Sequence, residues 1–179
     1  FSDSPSKGSN AFVVASDTVS GKPLLANDTH LNLQAPSLMY LAELKGPSLS
    51  VIGATMPGLP GVVIGHNRKI AWGVTDGYDD AQDLYIVTKD TPVLTHDETI
   101  VVRGHKPVHY TVRSTAMGPI LNDVVPALNT LGQTYALRWT ALLPGDTSVQ
   151  SFIELNYAHD WPSFAAALRR FVSPTQSFV

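Results

Sequence analysis

The chain has 179 residues, 44% of them apolar and 15% charged, and 12 Lys+Arg against 15 Asp+Glu give a net charge of −3. This is long enough to bury a core as one domain, and the scattered basic residues exclude a nucleic-acid or polyanion footprint. The lack of cysteine excludes disulfides, thiolate metal sites and a cysteine nucleophile. No apolar run approaches the roughly 18 residues that span a bilayer, so membrane insertion is not expected.

Residues 1 to 8 are polar, carry no hydrophobic signal segment, and read as a linker or spacer cut from something longer. From Ser9 to Val179 the pattern is that of one incomplete domain. Short apolar runs broken by turn residues predict strands at Ala11–Ala15, Pro23–Ala26, Met39–Leu44, Ser48–Ala54, Gly61–Ile64 and Ile70–Val74. Further strands are expected at Asp83–Thr88, Glu98–Val102, His109–Ser114 and Tyr135–Trp139. Gly21-Lys22-Pro23 and His66-Asn67-Arg68-Lys69 read as hairpin turns, and Pro57 and Pro60 make 56–61 a loop.

The last quarter changes character. Asp146-Thr147 resembles a helix cap, and Val149, Phe152, Ile153 and Leu155 follow at near-helical spacing. A second helix is expected from Pro162 to Phe171, ended by Ser173-Pro174, and Gln176–Val179 reads as another strand. Many strands followed by two helices argue for an α+β class. The low charged fraction further suggests that some surface lies against additional chain.

Generic catalytic motifs do not settle a function. The chain has no Gly-x-Ser-x-Gly elbow, no His-Glu-x-x-His and no P-loop. Among its six histidines only His105 and His109 have metal-like spacing, and that pair reads as surface. A metal-dependent hydrolase built on His30, His66, Asp80 and Asp83 stays open as a minor reading.

Longer segments say more. Gly8-Ser9-Asn10-Ala11-Phe12-Val13-Val14 resembles the maturation junction of the penicillin acylase family, which includes cephalosporin and acyl-homoserine-lactone acylases. Gly21-Lys22-Pro23-Leu24-Leu25-Ala26-Asn27-Asp28-Thr29-His30-Leu31 is similar to a second family segment, with Thr29 where proline is usual. Pro60–Asn67, Ile70–Thr75, Asp80–Tyr85, Gly118-Pro119-Ile120 and Arg138-Trp139-Thr140 follow in the family's order. The likeness runs from Gly8 to Val179.

The resemblance implies an N-terminal-nucleophile hydrolase fold, with two antiparallel sheets between helical layers, and an amidohydrolase that cleaves a linear N-acyl amide. Cleavage between Gly8 and Ser9 would make Ser9 both nucleophile and base. A serine hydroxyl needs a base to act, and a free α-amine with an ordinary pKa of about 7.7–8.0 suits that task near working pH. His30 matches a residue that orients the serine and its amine. Asp76 matches the position whose backbone N–H forms half of an oxyanion hole. Ser177 falls where the family places an asparagine that supplies the other donor.

Leu31, Ile64 and Val74 match positions lining the acyl pocket. Asp80, the carbonyl of Gln82 and Asp83 match ligands of a structural calcium, although the chemistry itself needs no cofactor. By the same resemblance the substrate is a small N-acyl amide, a penicillin side chain or an N-acyl homoserine lactone. The partners are an α-chain and the remainder of the β-chain of one precursor, with no nucleic acid, and the location is the periplasm or outside the cell. The alternative is an unprocessed or truncated chain, catalytically inert and acting at most as a binding or assembly module.

Overall fold

The computed structural model describes residues 8–15, 19 and 21–179, so the expected linker lies outside them except for Gly8. The chain divides into two compact units, one of residues 1–79 with 145–179 and the other of residues 80–144. Every strand pairing among the described residues is antiparallel.

In the first unit, β1 (Gly8–Val14) and β2 (Leu24–His30) form a hairpin in which Gly8 lies opposite His30 and Ser9 opposite Thr29. A four-stranded sheet follows, built from β3 (Tyr40–Lys45), β4 (Ser50–Thr55), β5 (Ile64–Asn67) and β6 (Ala71–Trp72) in that order. After Gly73 the chain enters β7 (Val74–Asp76), which pairs with the last strand of the chain, Gln176–Phe178.

The helices α1 (Ser148–Tyr157) and α2 (Trp161–Leu168) pack on each other. The capping box that starts α2 joins Asp160 and Ser163, so the helix begins at Trp161, one residue before the predicted start at Pro162. Val51, Val62, Val63, Trp72, Phe152, Leu155, Phe164 and Ala167 form the core. Phe178 joins it through ring contacts with Phe152 and Phe171, so the terminal strand is anchored by an aromatic side chain.

Several strands differ from the sequence reading: the run expected at Glu98–Val102 lies at Leu94–Ile100, and Ile70–Val74 is interrupted at Gly73. The predicted run Gly61–Ile64 begins only at Ile64, because Val62 finds its main-chain partners elsewhere. Its N–H donates to Asn156 Oδ1 at 2.8 Å and its carbonyl accepts from Asn156 Nδ2 at 2.9 Å. A side chain on α1 thus replaces a neighbouring strand, and Val62 stays fully buried with its polar groups satisfied.

The second unit contains β8 (Gln82–Val87), β9 (Leu94–Ile100), β10 (Val108–Thr115), β11 (Gly118–Pro119) and β12 (Thr134–Trp139). These form a β11-β10-β9 sheet and a β12-β8 pair. Three short 3-10 turns at 121–123, 126–131 and 140–142 were not foreseen. The closing strand Gln176–Phe178 is β13.

Arg113 on β10 holds Asp123 through two bonds, Nε to Oδ2 at 2.9 Å and Nη2 to Oδ1. The hydrogen bond from Arg113 lowers the Asp123 pKa from its ordinary value. A carboxyl whose folded pKa is lowered contributes stability above its unfolded pKa of about 3.9 and loses it as pH falls through the folded value. The pair is partly exposed, so its worth is about 0.2–1 kcal/mol. Asp123→Asn should cost that much at pH 7 in denaturant titrations, with the difference shrinking as pH falls through the lowered carboxyl pKa. A difference unchanged at acid pH would refute the assignment.

Candidate active site

Ser9 is the second residue of β1, with its side chain half-buried. Its hydroxyl donates to the carbonyl oxygen of Gly8 at 2.7 Å, so the oxygen that would act as nucleophile rests against the peptide that precedes it. A Cβ added at Gly8 would meet nothing within 4 Å. Space therefore does not require glycine there.

Side chains alternate across a strand pair, which puts Ser9 and Thr29 on one face of the hairpin and His30, opposite Gly8, on the other. The His30 imidazole Nε2 is 3.0 Å from Asp28 Oδ2, two residues back on its own face. The structure therefore pairs His30 with Gly8 and leaves its side chain on the face away from the Ser9 hydroxyl, engaged by Asp28.

Strand β7 approaches this hairpin. Its hydrogen-bonding pattern fixes which way its N–H groups point. Gly73 and Val179 exchange both main-chain bonds, at 2.8 and 3.0 Å, and Gly77 N–H donates to Thr175 at 3.2 Å. Bonded residues alternate with unbonded ones in an antiparallel ladder, so the N–H groups of Val74 and Asp76 face away from β13. Val74 N–H meets Asn27 Oδ1 at 2.9 Å, and that same edge carries the N–H of Asp76. The Asp76 carboxylate turns instead toward the Tyr78 N–H, 3.3 Å away, where Tyr78 has a φ of 52°. A backbone donor on one side and a carboxylate folded onto the next turn on the other is an arrangement that could serve an oxyanion.

Ser177 pairs with Thr75 and its side chain is exposed. Alternation places it on the opposite face of β13 from Phe178, hence away from the core. Of the three expected pocket residues, Val74 is buried and Ile64 packs against the core, whereas Leu31 is 41% exposed. An apolar cavity of about 410 Å³ is lined by other residues, among them Val13, Leu24, Leu25, Trp161 and Phe164.

Asp80, Gln82 and Asp83 belong to the second unit, with Asp80, Gln82 and Asp83 all exposed. Calcium takes six to eight oxygen ligands, and no group of three or more His, Cys, Asp or Glu is gathered among the described residues. Two carboxylates and one carbonyl are hard oxygen donors of the kind the ion takes, but fewer than its shell requires. His66 is likewise occupied locally, with Nδ1 3.1 Å from the Asn67 carbonyl. No helix among the described residues is long and apolar enough to cross a membrane.

Asn27 is the residue that sequence reasoning missed. It sat inside a quoted segment without a role, and its bonding partners lie 17 and 47 residues away. No local spacing rule points to such a bridge.

The chain can now be set beside known proteins. It is 35% identical over 133 residues to acyl-homoserine lactone acylase QuiP of Pseudomonas aeruginosa, covering 66% of this chain and 16% of that protein. It is 34% identical over 155 residues to QuiP of Pseudomonas fluorescens, covering 79% of this chain and 19% of that one. Penicillin G acylase of Escherichia coli is 31% identical over 127 residues, which is 63% of this chain and 15% of that protein. The chain thus spans a fifth or less of the length of these relatives.

Among solved structures, a thermostable penicillin G acylase from Alcaligenes faecalis superposes with a TM-score of 0.63 at 23% identity, over 80% of this chain and 28% of that one. The fold is that of penicillin G acylase, an α+β type, represented among the described residues by mostly antiparallel strands and two helices. The profile described as penicillin amidase matches residues 2–179, and the chain belongs to that family.

Proposed function

We propose that the protein is an amidohydrolase whose nucleophile, Ser9, is released by cleavage of its own Gly8–Ser9 peptide. The observation that carries this reading is the Ser9 hydroxyl seated on the Gly8 carbonyl at 2.7 Å. Attack by Oγ on the Gly8 carbonyl carbon forms a C–O bond and breaks the C–N bond, and the hydroxyl proton passes to the departing Ser9 nitrogen. Water then hydrolyses the ester, leaving a Gly8 carboxylate and a free Ser9 amine.

In turnover that amine takes the hydroxyl proton while Oγ attacks the substrate's amide carbonyl. The Asp76 N–H, on the β7 edge away from β13, is the donor proposed for the oxyanion. One such preorganised donor is worth about 2.7–4 kcal/mol. The leaving amine takes the proton, and water releases the acid from the acyl-enzyme. Ser177 is the proposed second donor, with a shorter reach than an asparagine. His30 is the proposed orienting group, since loss of residues 1–8 removes the Gly8 that lies opposite it.

The substrate class is a linear N-acyl amide, of the penicillin or N-acyl homoserine lactone kind named for the relatives, with Leu31, Ile64 and Val74 on its acyl side. Phe12, Val14 and Leu24 form an exposed apolar face on the hairpin. Such a patch marks a protein contact, and its proposed occupants are an α-chain and further β-chain of one precursor. A structural calcium at Asp80, Gln82 and Asp83 requires ligands beyond these three. Export to the periplasm or outside the cell follows from the family alone.

The second reading is an unprocessed or truncated chain, catalytically inert and serving at most in binding or assembly. Intact-mass measurement of the full-length protein over time, paired with release of a chromogenic amine from an N-acyl amide, separates the two. Activity is expected to rise in step with loss of everything before Ser9. Activity in uncut protein would overturn the reading.

A further inference from the structure

We infer that Asn27 is a positioning residue, whose carboxamide sets the distance between the nucleophile strand and the proposed oxyanion donor. Nδ2 donates to the Asn10 carbonyl at 3.0 Å and to the Val74 carbonyl at 3.1 Å, while Oδ1 accepts from the Val74 N–H at 2.9 Å. Asn10 directly follows Ser9, and Val74 lies two residues before Asp76 on the same strand edge. A single planar group, on the hairpin face that carries Ser9, therefore ties the backbone at the nucleophile to the backbone at the donor.

The neighbouring sequence is shaped to admit it. A Cβ at Gly73 would come within 3.0 to 3.1 Å of Asn27 Cβ, Cγ and Oδ1, so a larger residue there would push the carboxamide aside by a few tenths of an ångström. Three hydrogen bonds from one half-buried side chain also give it one orientation. Aspartate has the same shape but no N–H. It would set a carboxylate against two carbonyl oxygens.

This role rests on the reading of Ser9 given above, and the test keeps the two apart. In the full-length protein, wild type, Ser9→Ala, Asn27→Ala, Asn27→Asp and Gly73→Ala are compared for self-cleavage rate, and the processed fraction of each for kcat and KM. Misplacing reacting groups by about 1 Å costs on the order of 100-fold. The Asn27 variants should therefore lose about that much in both self-cleavage and kcat, with KM within about threefold of wild type. Gly73→Ala keeps all three bonding groups but shifts them, and should lose a smaller factor in kcat with KM again unchanged.

A merely structural role would lower the yield of folded protein and leave processed molecules with wild-type kcat, which would overturn the inference. If the Asn27 variants give no folded protein, Gly73→Ala decides by the same criterion. If wild type stays uncut, or Ser9→Ala is cut as fast as wild type, the reading of Ser9 falls and the role of Asn27 with it.

Discussion

Asn156→Ala is expected to remove about 2–5 kcal/mol from the unit that holds the helices, enough to threaten a fold worth about 5–15 kcal/mol. Asn156 is 3% exposed and lies 94 residues from Val62, yet it satisfies both main-chain groups of that residue. Its Nδ2 also reaches the Phe152 carbonyl at 2.8 Å. Truncation leaves the N–H and the carbonyl of a fully buried valine without partners. Each orphan costs about 1–3 kcal/mol.

Asn67→Ala provides the comparison. That carboxamide makes four bonds, one more than Asn156, to Lys69 N, Ile70 N, Asn156 O and Ala158 O, but at a half-buried turn where water can replace them. Its loss should be the smaller of the two. Denaturant titration with unchanged slope reads both, and equal midpoints for the two variants would refute this account of Val62.

The same bridge explains what could and could not be read in advance. The β1–β2 hairpin was legible because its signal is local: a Gly-Lys-Pro turn between two runs. The two helices were legible because Phe152, Leu155, Phe164 and Ala167 recur at helical spacing and all reach the core. Gly61–Val63 has the apolar composition of a strand, but its partner is a side chain from α1, and composition cannot tell a neighbouring strand from a distant asparagine.

The 3-10 turn at 121–123 escaped notice for the same reason. Buried Asn122 holds it through bonds to Asn129 and to the backbone of Gln133 and Tyr135. For the candidate site, the junction at Gly8–Ser9 was readable as a motif. The geometry that brings β7 to β1 was not, because it depends on Asn27 and on the strand Gln176–Phe178, a hundred residues further along the chain. The expected pocket residues divided between core and surface, since one apolar residue type serves both purposes.

Ser9→Ala is expected to leave the peptide before residue 9 uncut and to lower amide hydrolysis on the order of 10⁶-fold, the scale on which a hydrolase loses its nucleophile. The pH profile then tests the base separately from the hydroxyl. A processed serine relies on its own amine, ordinarily titrating at about 7.7–8.0, so kcat/KM should rise with pH and level off once the amine is neutral. The uncut protein has an amide nitrogen there and no basicity, so it should hydrolyse no substrate at any pH.

Self-cleavage differs, because its nucleophile is the same hydroxyl but no amine yet exists. Its rate should lack that limb. One atom, Ser9 Oγ, would thus show two pH dependences according to whether its own nitrogen is bound to Gly8. An identical profile for both steps, or full activity in Ser9→Ala, would mean that the hydroxyl resting on the Gly8 carbonyl is a local hydrogen bond and nothing more.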